Sequence, residues 1–207
     1  MKLYFIRHGR TEWNEEGRFQ GSNGDSLLLP ASIHQLEKLG QHLAAVPFDA
    51  AFASDLPRTV HTAQIILDQL ETPLKLQPTP ALREWNLGKL EGAKISTISA
   101  IYPQQMDAFR HNLARFQNEI FDAESVYETT KRTCDFVKSL KGKELDTVLI
   151  VGHGANLTAS IRTLLGYETG ELRKNGGLDN ASVTILTTDD FEHYHLDTWN
   201  DTSYMED

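Results

Sequence analysis

Short apolar runs along this chain alternate with stretches whose apolar positions recur at helical spacing, and the alternation predicts both the elements and their packing. Residues 2–6 and 147–151 are aliphatic and aromatic runs too short for helices, with Gly9 and Gly152 just beyond them, and they read as buried strands. Residues 49–53 and 74–76 are shorter strand candidates, and 182–187 and 193–199 supply further β runs. Leu36, Leu39, Leu43 and Val46 mark a helix that Pro47 stops. Val60, Ala63, Ile66, Leu67 and Leu70 mark another, entered through Ser54-Asp55-Leu56-Pro57, a cap donor followed by proline near the first helical position. Val126, Thr130, Thr133, Cys134, Val137 and Leu140 keep helical spacing up to Gly142, and Leu157, Ile161, Leu164 and Leu165 do so up to Gly166.

The polar stretch 9–25 and the segment 78–92 read as loops. Residues 93–124 carry short helical patterns through Ile95, Ile98, Ile101, Tyr102, Phe109 and Phe116, which predicts an excursion from the sheet acting as a cap. Helices and strands alternate through most of the chain, so the expected architecture is α/β: a largely parallel sheet with helices on both faces, in a single domain over 1–207.

Composition narrows the function. At 207 residues, 40% hydrophobic and 24% charged, the chain has the make-up of an ordinary globular domain. Its formal net charge of −9 argues against nucleic acid or anionic membrane as partner, because affinity for either is dominated by clustered Lys and Arg. Any basic pocket must be local. Cys134 is the sole cysteine, which excludes an intramolecular disulfide and suits a reducing compartment. With no signal-peptide pattern and no apolar stretch near the ~20 residues of a membrane helix, the protein is expected to be soluble and cytoplasmic.

The candidate chemistry sits where the buried strands end. Arg7-His8-Gly9-Arg10 follows the first run and Gly152-His153-Gly154-Ala155 the run at 147–151. Ligands of open α/β sheets bind at that carboxyl edge. A neutral imidazole there is a nucleophile toward phosphorus, whereas a lone strand-end histidine is more simply satisfied by a carbonyl. Arg58, in a first helical turn, conflicts with the positive helix end unless an anion is held beside it. The alternative is an arginine reaching solvent. Glu84 lies beside Trp85 and Leu87, where burial favours a protonated carboxyl able to act as an acid; a surface loop acid is the plainer reading. The remaining histidines, His34, His42, His61, His111, His193 and His195, lack metal-ligand spacing, and Cys134 falls on an apolar helical face. No Walker-type loop or Gly-x-Gly-x-x-Gly fingerprint is present.

In order, these segments resemble the histidine phosphatase superfamily, also called the phosphoglycerate mutase-like family. The match runs through Phe5-Ile6-Arg7-His8-Gly9-Arg10-Thr11-Glu12-Trp13-Asn14 with Gly17-Arg18-Phe19-Gln20-Gly21, then Ser54-Asp55-Leu56-Pro57-Arg58-Thr59 with Thr62-Ala63, Leu82-Arg83-Glu84 with Gly88 and Glu91-Gly92, Val151-Gly152-His153-Gly154, and Asn180-Ala181-Ser182-Val183. The resemblance implies a three-layer α/β/α sandwich with a short helical cap, and a covalent phosphohistidine mechanism without cofactor or metal. By that analogy His8 attacks phosphorus, Glu84 protonates the leaving oxygen, and Arg7, Arg58 and His153 hold the transferring group. Thr11, Asn14 and Gly154 match further phosphate-binding positions. Departures from the family pattern are Arg10, where Glu or Gln is usual, Leu29 and Ser32 in place of Thr and Gly, Ala123 before Glu124-Ser125, and Tyr204 in place of His.

The expected activity is hydrolysis of a small phosphate monoester. Cofactor-dependent mutases of the family carry a longer insertion after the acid loop with a paired-arginine segment; here 93–124 is short, and Arg110 and Arg115 are not adjacent. A mutase therefore stands as the alternative. A non-catalytic module that binds phosphorylated ligands stands as an alternative of another class, and a zinc hydrolase using His8, Glu84 and His153 lacks the expected ligand spacing. The partner expected is a small phosphorylated substrate, and a homodimer is compatible with the sequence.

Overall fold

The computed structural model describes residues 1–205; the last two residues of the domain expected over 1–207 lie outside the described residues. Strands β1 (Lys2–Arg7), β2 (Ala50–Ser54), β3 (Leu76–Thr79), β4 (Thr147–Gly152), β5 (Val183–Thr187) and β6 (His195–Asp201) form a six-stranded sheet in the order β3-β2-β4-β1-β5-β6. The pairings of β3 with β2, β2 with β4 and β4 with β1 are parallel, and β5 and β6 add an antiparallel edge. The predicted sheet is present, parallel where the chemistry was expected. Helices α1 (Glu12–Glu15), α2 (Pro30–His42), α3 (Pro57–Leu67), α4 (Ile95–Ile101), α5 (Pro103–His111), α6 (Val126–Lys138) and α7 (Gly154–Leu164) fill the connections.

The layering follows from the two-residue period of the strands. Tyr4 and Ile6 of β1, Leu149 and Val151 of β4, and Ala51 and Ala53 of β2 join Leu36, Leu39, Ala63 and Ile66 of α2 and α3 in one apolar cluster. Leu3 and Phe5, Val148 and Ile150, and Phe52 face the other way, against Val137, Leu157 and Ile161 of α6 and α7. Both faces of the central strands are therefore buried, which explains why these runs carry almost no polar residue.

Three local outcomes differ from the sequence expectations. Within the stretch expected to be loop, α1 forms because Thr11 and Asn14 make a capping box, each side chain accepting from the other's backbone N–H at 3.4 and 3.2 Å. Helix α2 begins at Pro30 and ends at His42, ahead of Pro47. Strand β3 runs through Pro78, which a sheet tolerates because β3 is an edge strand. The departures at Ser32 and Tyr204 both have partners: Ser32 Oγ accepts the Arg10 N–H at 2.7 Å, and the buried Tyr204 hydroxyl donates to the Ala181 carbonyl at 2.8 Å.

The segment 93–124 is the expected cap. Helices α4 and α5 and the short turns Leu113–Arg115 and Asn118–Phe121 pack with Phe19, Trp85, Leu87 and Leu90 into a third apolar cluster, which reaches α7 through Ala159. Its aromatic rings interlock, with Phe109 at 5.0 Å from Phe116 and 5.6 Å from Trp85, and Trp85 Nε1 donates to the Glu124 carbonyl at 2.6 Å. Among the described residues no helix is long and apolar enough to cross a membrane.

Candidate active site

Four parallel strands deliver the predicted residues to one edge of the sheet. His8 follows β1, Arg58 opens α3 after β2, Glu84 follows β3 through the turn Pro80–Leu82, and His153 follows β4. Because β1 and β4 are hydrogen-bonded neighbours with Arg7 opposite Gly152, the histidine after each strand must stand beside the other. Their ring centroids are 5.3 Å apart and the rings are inclined by 65°. His8, Arg58, Glu84 and His153 are all buried.

The Nδ1 of His8 lies 2.7 Å from the Gly9 carbonyl, which can only accept, so Nδ1 carries the proton and Nε2 keeps its lone pair. Burial, with Arg58 and Arg7 nearby, holds this imidazole well below its ordinary range, opposed by the bond to Gly9. At neutral pH it is uncharged, with the Nε2 lone pair available for nucleophilic chemistry. Its backbone is fixed by Thr62, whose Oγ1 accepts the Gly9 N–H at 3.1 Å, and by Asn180, whose Nδ2 donates to the His8 carbonyl at 3.1 Å. His153 is likewise pushed well below its ordinary range, first by burial and then by Arg58, His8 and Arg7. Neither of its ring nitrogens has a hydrogen-bond partner among the described residues.

Two guanidinium groups complete the cluster. Arg58 is locked by Nη1 donating to the Gly24 carbonyl at 2.9 Å and to Asp25 Oδ1 at 2.7 Å, and by Nη2 donating to the Gly21 carbonyl at 2.9 Å. Arg7 Nη1 donates to the Leu178 carbonyl at 2.5 Å. Each keeps a buried Nε–H without a partner among the described residues. Burial pulls both cations down, opposed at Arg58 first by Asp25 and at Arg7 first by Glu84. Such unpaired donors beside two neutral imidazoles are able to receive an oxyanion.

Glu84 is held by the start of α7 and by its own neighbour. Oε1 accepts from the Trp85 and Asn156 N–H groups, both at 2.8 Å, and Oε2 accepts from Ala155 at 2.9 Å. Both lone pairs of Oε1 are engaged, so Oε2 is the oxygen left able to carry or take up a proton.

A cavity of about 240 Å³ opens over these groups, with His8, Arg7, Glu84, Asn14 and Gly154 in its wall. Arg58 and His153 are not among the residues that line it, although Arg58 acts electrostatically on both imidazoles and the His153 ring lies against that of His8. Asn14 Oδ1 accepts from Asn180 Nδ2 as well as from Thr11 N–H, leaving its own Nδ2 for the cavity. Thr11 is fully buried beneath α1 and donates its hydroxyl to Gln20 Oε1 at 2.8 Å, so Gln20 and not Thr11 forms the wall there. Arg10 is exposed and takes no part in the cavity.

The outer wall holds residues that sequence reasoning did not assign: Arg18, Gln20 and Arg173, with Leu87, Ile95 and Phe109 between them. Arg18 and Gln20 fall inside the first motif and were within reach of that comparison. Arg173 had no local signal. In the cap, Arg110 donates to Ser99, His111 pairs with Asp107, and Phe116 is buried in the interior, so the cap faces the cavity through Ile95 and Phe109. Among the described residues no His, Cys, Asp and Glu group is arranged to hold a metal ion.

Comparison with known proteins agrees with this geometry. The profile of the histidine phosphatase superfamily (branch 1) matches residues 3–202. The 2,3-bisphosphoglycerate-dependent phosphoglycerate mutase of Cytophaga hutchinsonii is 34% identical over 161 residues, covering 76% of this chain and 74% of that protein. The structure of YhfR from Bacillus stearothermophilus superposes with a TM-score of 0.89 at 29% identity, covering 99% of this chain and 98% of that one. A mycobacterial glucosyl-3-phosphoglycerate phosphatase, solved with VO3, superposes with a TM-score of 0.85 at 26% identity over 96% of this chain and 98% of that one. With a matching profile across nearly its whole length and His8 placed at the end of β1, the chain belongs to the histidine phosphatase superfamily.

Proposed function

We propose that this histidine-type phosphomonoesterase hydrolyses a small phosphate monoester through a phosphohistidine formed on His8. The observation that carries the reading is the hydrogen bond from His8 Nδ1 to the Gly9 carbonyl, which leaves Nε2 unprotonated near the guanidinium groups of Arg58 and Arg7. Nε2 attacks phosphorus, the bond from phosphorus to the leaving oxygen breaks, and Glu84 Oε2 gives that oxygen its proton. Water then attacks phosphorus as the phosphorus–nitrogen bond breaks, Glu84 takes the water's proton, and phosphate leaves as His8 returns to its neutral form. Arg7 and Arg58 balance charge on the equatorial oxygens and His153 donates a hydrogen bond to them, which is what a loose phosphoryl transition state requires. The relative solved with VO3, and the same phosphatase solved with inorganic phosphate, supply the analogy for an oxyanion held in such a site.

A mutase is the second reading, favoured by the relative of that name. Against it, the cap brings no adjacent arginine pair to the cavity: Arg110 bonds Ser99, and Arg115 lies outside the walls. The test is a brief reaction with a ³²P-labelled monoester followed by quenching. The expected phosphoenzyme is labile to acid and stable to alkali, absent in His8→Ala, and accompanied by release of inorganic phosphate. Label persisting in His8→Ala refutes the nucleophile. Transfer between positions of 3-phosphoglycerate without release selects the mutase.

A further inference from the structure

Arg173 is a cation in the cavity wall whose role the phosphoryl chemistry does not absorb. It sits in a turn that the fold builds with care. Arg162 Nη1 donates to the Leu172 carbonyl at 2.8 Å and to the Gly176 carbonyl at 3.0 Å, tying both ends of the turn to α7. Asn175 and Gly176 reverse the chain with φ of 66° and 83°. Beyond them the Leu178 N–H donates to Thr158 Oγ1, and the Leu178 carbonyl receives Arg7. The turn is thus anchored to the same helix and the same arginine that build the phosphate site.

The guanidinium of Arg173 lies over the Phe109 ring, 4.7 Å from its centroid, so the cap fixes its plane. Its Nε and Nη2 are buried and have no hydrogen-bond partner among the described residues. Those atoms form one edge of the guanidinium fork. Elsewhere in this molecule Arg83 uses the same edge to clasp Asp55, at 2.7 Å to each carboxylate oxygen. Arg18, the neighbouring cation in the wall, is already engaged with Glu16 and the Gly92 carbonyl. Burial lowers Arg173 to about 10, so it stays charged at neutral pH, and the charges that act on it are Glu84, Arg7 and Arg162. Arg173 shares the cavity wall with Glu84, the residue proposed to protonate the leaving oxygen.

We propose that Arg173 is a specificity-determining residue whose Nε–Nη2 edge receives an oxyanion carried by the leaving group, so that the preferred substrates are phosphate monoesters bearing a carboxylate or a second phosphate. Leu87, Ile95 and Phe109 cover the carbon skeleton between the two anions. The assignment deepens the phosphatase reading and rests on it for the direction of the leaving group.

Matched esters test it. 3-Phosphoglycerate and glycerol 3-phosphate differ only in a carboxylate against a hydroxymethyl group; fructose 1,6-bisphosphate and fructose 6-phosphate differ by the second phosphate. The wild type is expected to prefer the more anionic member of at least one pair by tenfold or more in kcat/KM, and the pair that responds identifies the anion. Arg173→Gln is expected to erase that preference, mainly through KM, and Arg173→Lys, which keeps charge without the fork, to retain part of it. The same preference read by calorimetry on His8→Ala protein, with and without the Arg173 substitutions, needs no turnover. If the wild type releases phosphate from no ester while the binding preference and its loss persist, the phosphatase reading fails and the Arg173 assignment stands. Equal losses on both members of a pair, or no preference in either assay, overturn the assignment.

Discussion

Gly154 lacks a side chain where Arg7 fills the space: a Cβ there would lie 2.8 Å from Nε and 2.9 Å from Cζ of the guanidinium. Gly154→Ala must therefore push Arg7 out of register with His8 while leaving the start of α7 conformationally permitted. A displacement of about 1 Å at a phosphoryl site costs on the order of 10²-fold in rate. The expected result is that loss in kcat/KM for a simple monoester, with a melting temperature close to wild type. Activity equal to wild type would mean that Arg7 does not need its present position. At this scale the sequence was informative wherever a residue sits next to a strand end, since the strand itself aims His8 and His153. It was uninformative at Arg173, whose environment is made by Phe109 on the cap, and at Thr11, where one buried hydroxyl chose Gln20 over the cavity. A related expectation concerns metals. Because two arginines and two imidazoles already surround the site, hydrolysis is expected to survive thorough chelation; loss that zinc alone restores would return His8, Glu84 and His153 to the role of ligands.

The ends of the cap are tied to the loops of the site by backbone hydrogen bonds, from Ile95 N–H to the Gly17 carbonyl and from Glu124 N–H to the Asn86 carbonyl, both at 2.8 Å, and between those ends it is held by rings. Phe109 touches Phe19, Trp85 and Phe116, at centroid distances of 6.1, 5.6 and 5.0 Å, and also carries Arg173. Replacing it with alanine removes most of that junction, and truncating a buried phenylalanine costs about 3–5 kcal/mol. The element that loses support is α4–α5, while β1, β2 and β4 keep their own apolar clusters. In Phe109→Ala, amide hydrogen exchange is expected to rise across α4 and α5 and to stay slow in the central strands. A uniform rise over the whole chain would show that the cap is not a separate cooperative unit. The main elements could be located from periodicity because their apolar faces are long. What periodicity missed were pieces set by a few polar bonds, α1 with its Thr11–Asn14 box, or by position at an edge, β3 with Pro78.

The assembled site makes the stability of the whole molecule sensitive to mild acid. His8 and His153 are held uncharged in the fold, whereas in the unfolded chain each titrates near the ordinary 6.5. Below that value the unfolded state binds protons that the folded state refuses, so stability falls as pH falls. For each imidazole the loss between pH 7.5 and 5.5 is about 1.4 kcal/mol, provided the folded group is still neutral at the lower pH. Carboxylates held below their ordinary range, Asp49 and Asp55 by hydrogen bonds and Asp201 likewise, contribute their losses below 3.8 and so outside this window. His193, raised by Asp190 on the surface, contributes with the opposite sign but is fully exposed. Urea unfolding of the ligand-free protein is therefore expected to show lower stability at pH 5.5 than at 7.5, and His153→Ala to flatten that dependence by roughly half whatever its effect on absolute stability. Inorganic phosphate should flatten it as well, because an anion between the imidazoles favours their protonated forms and raises their folded pKa. An unchanged slope in His153→Ala would place the acid-sensitive groups elsewhere and remove the case for two neutral imidazoles facing one oxyanion.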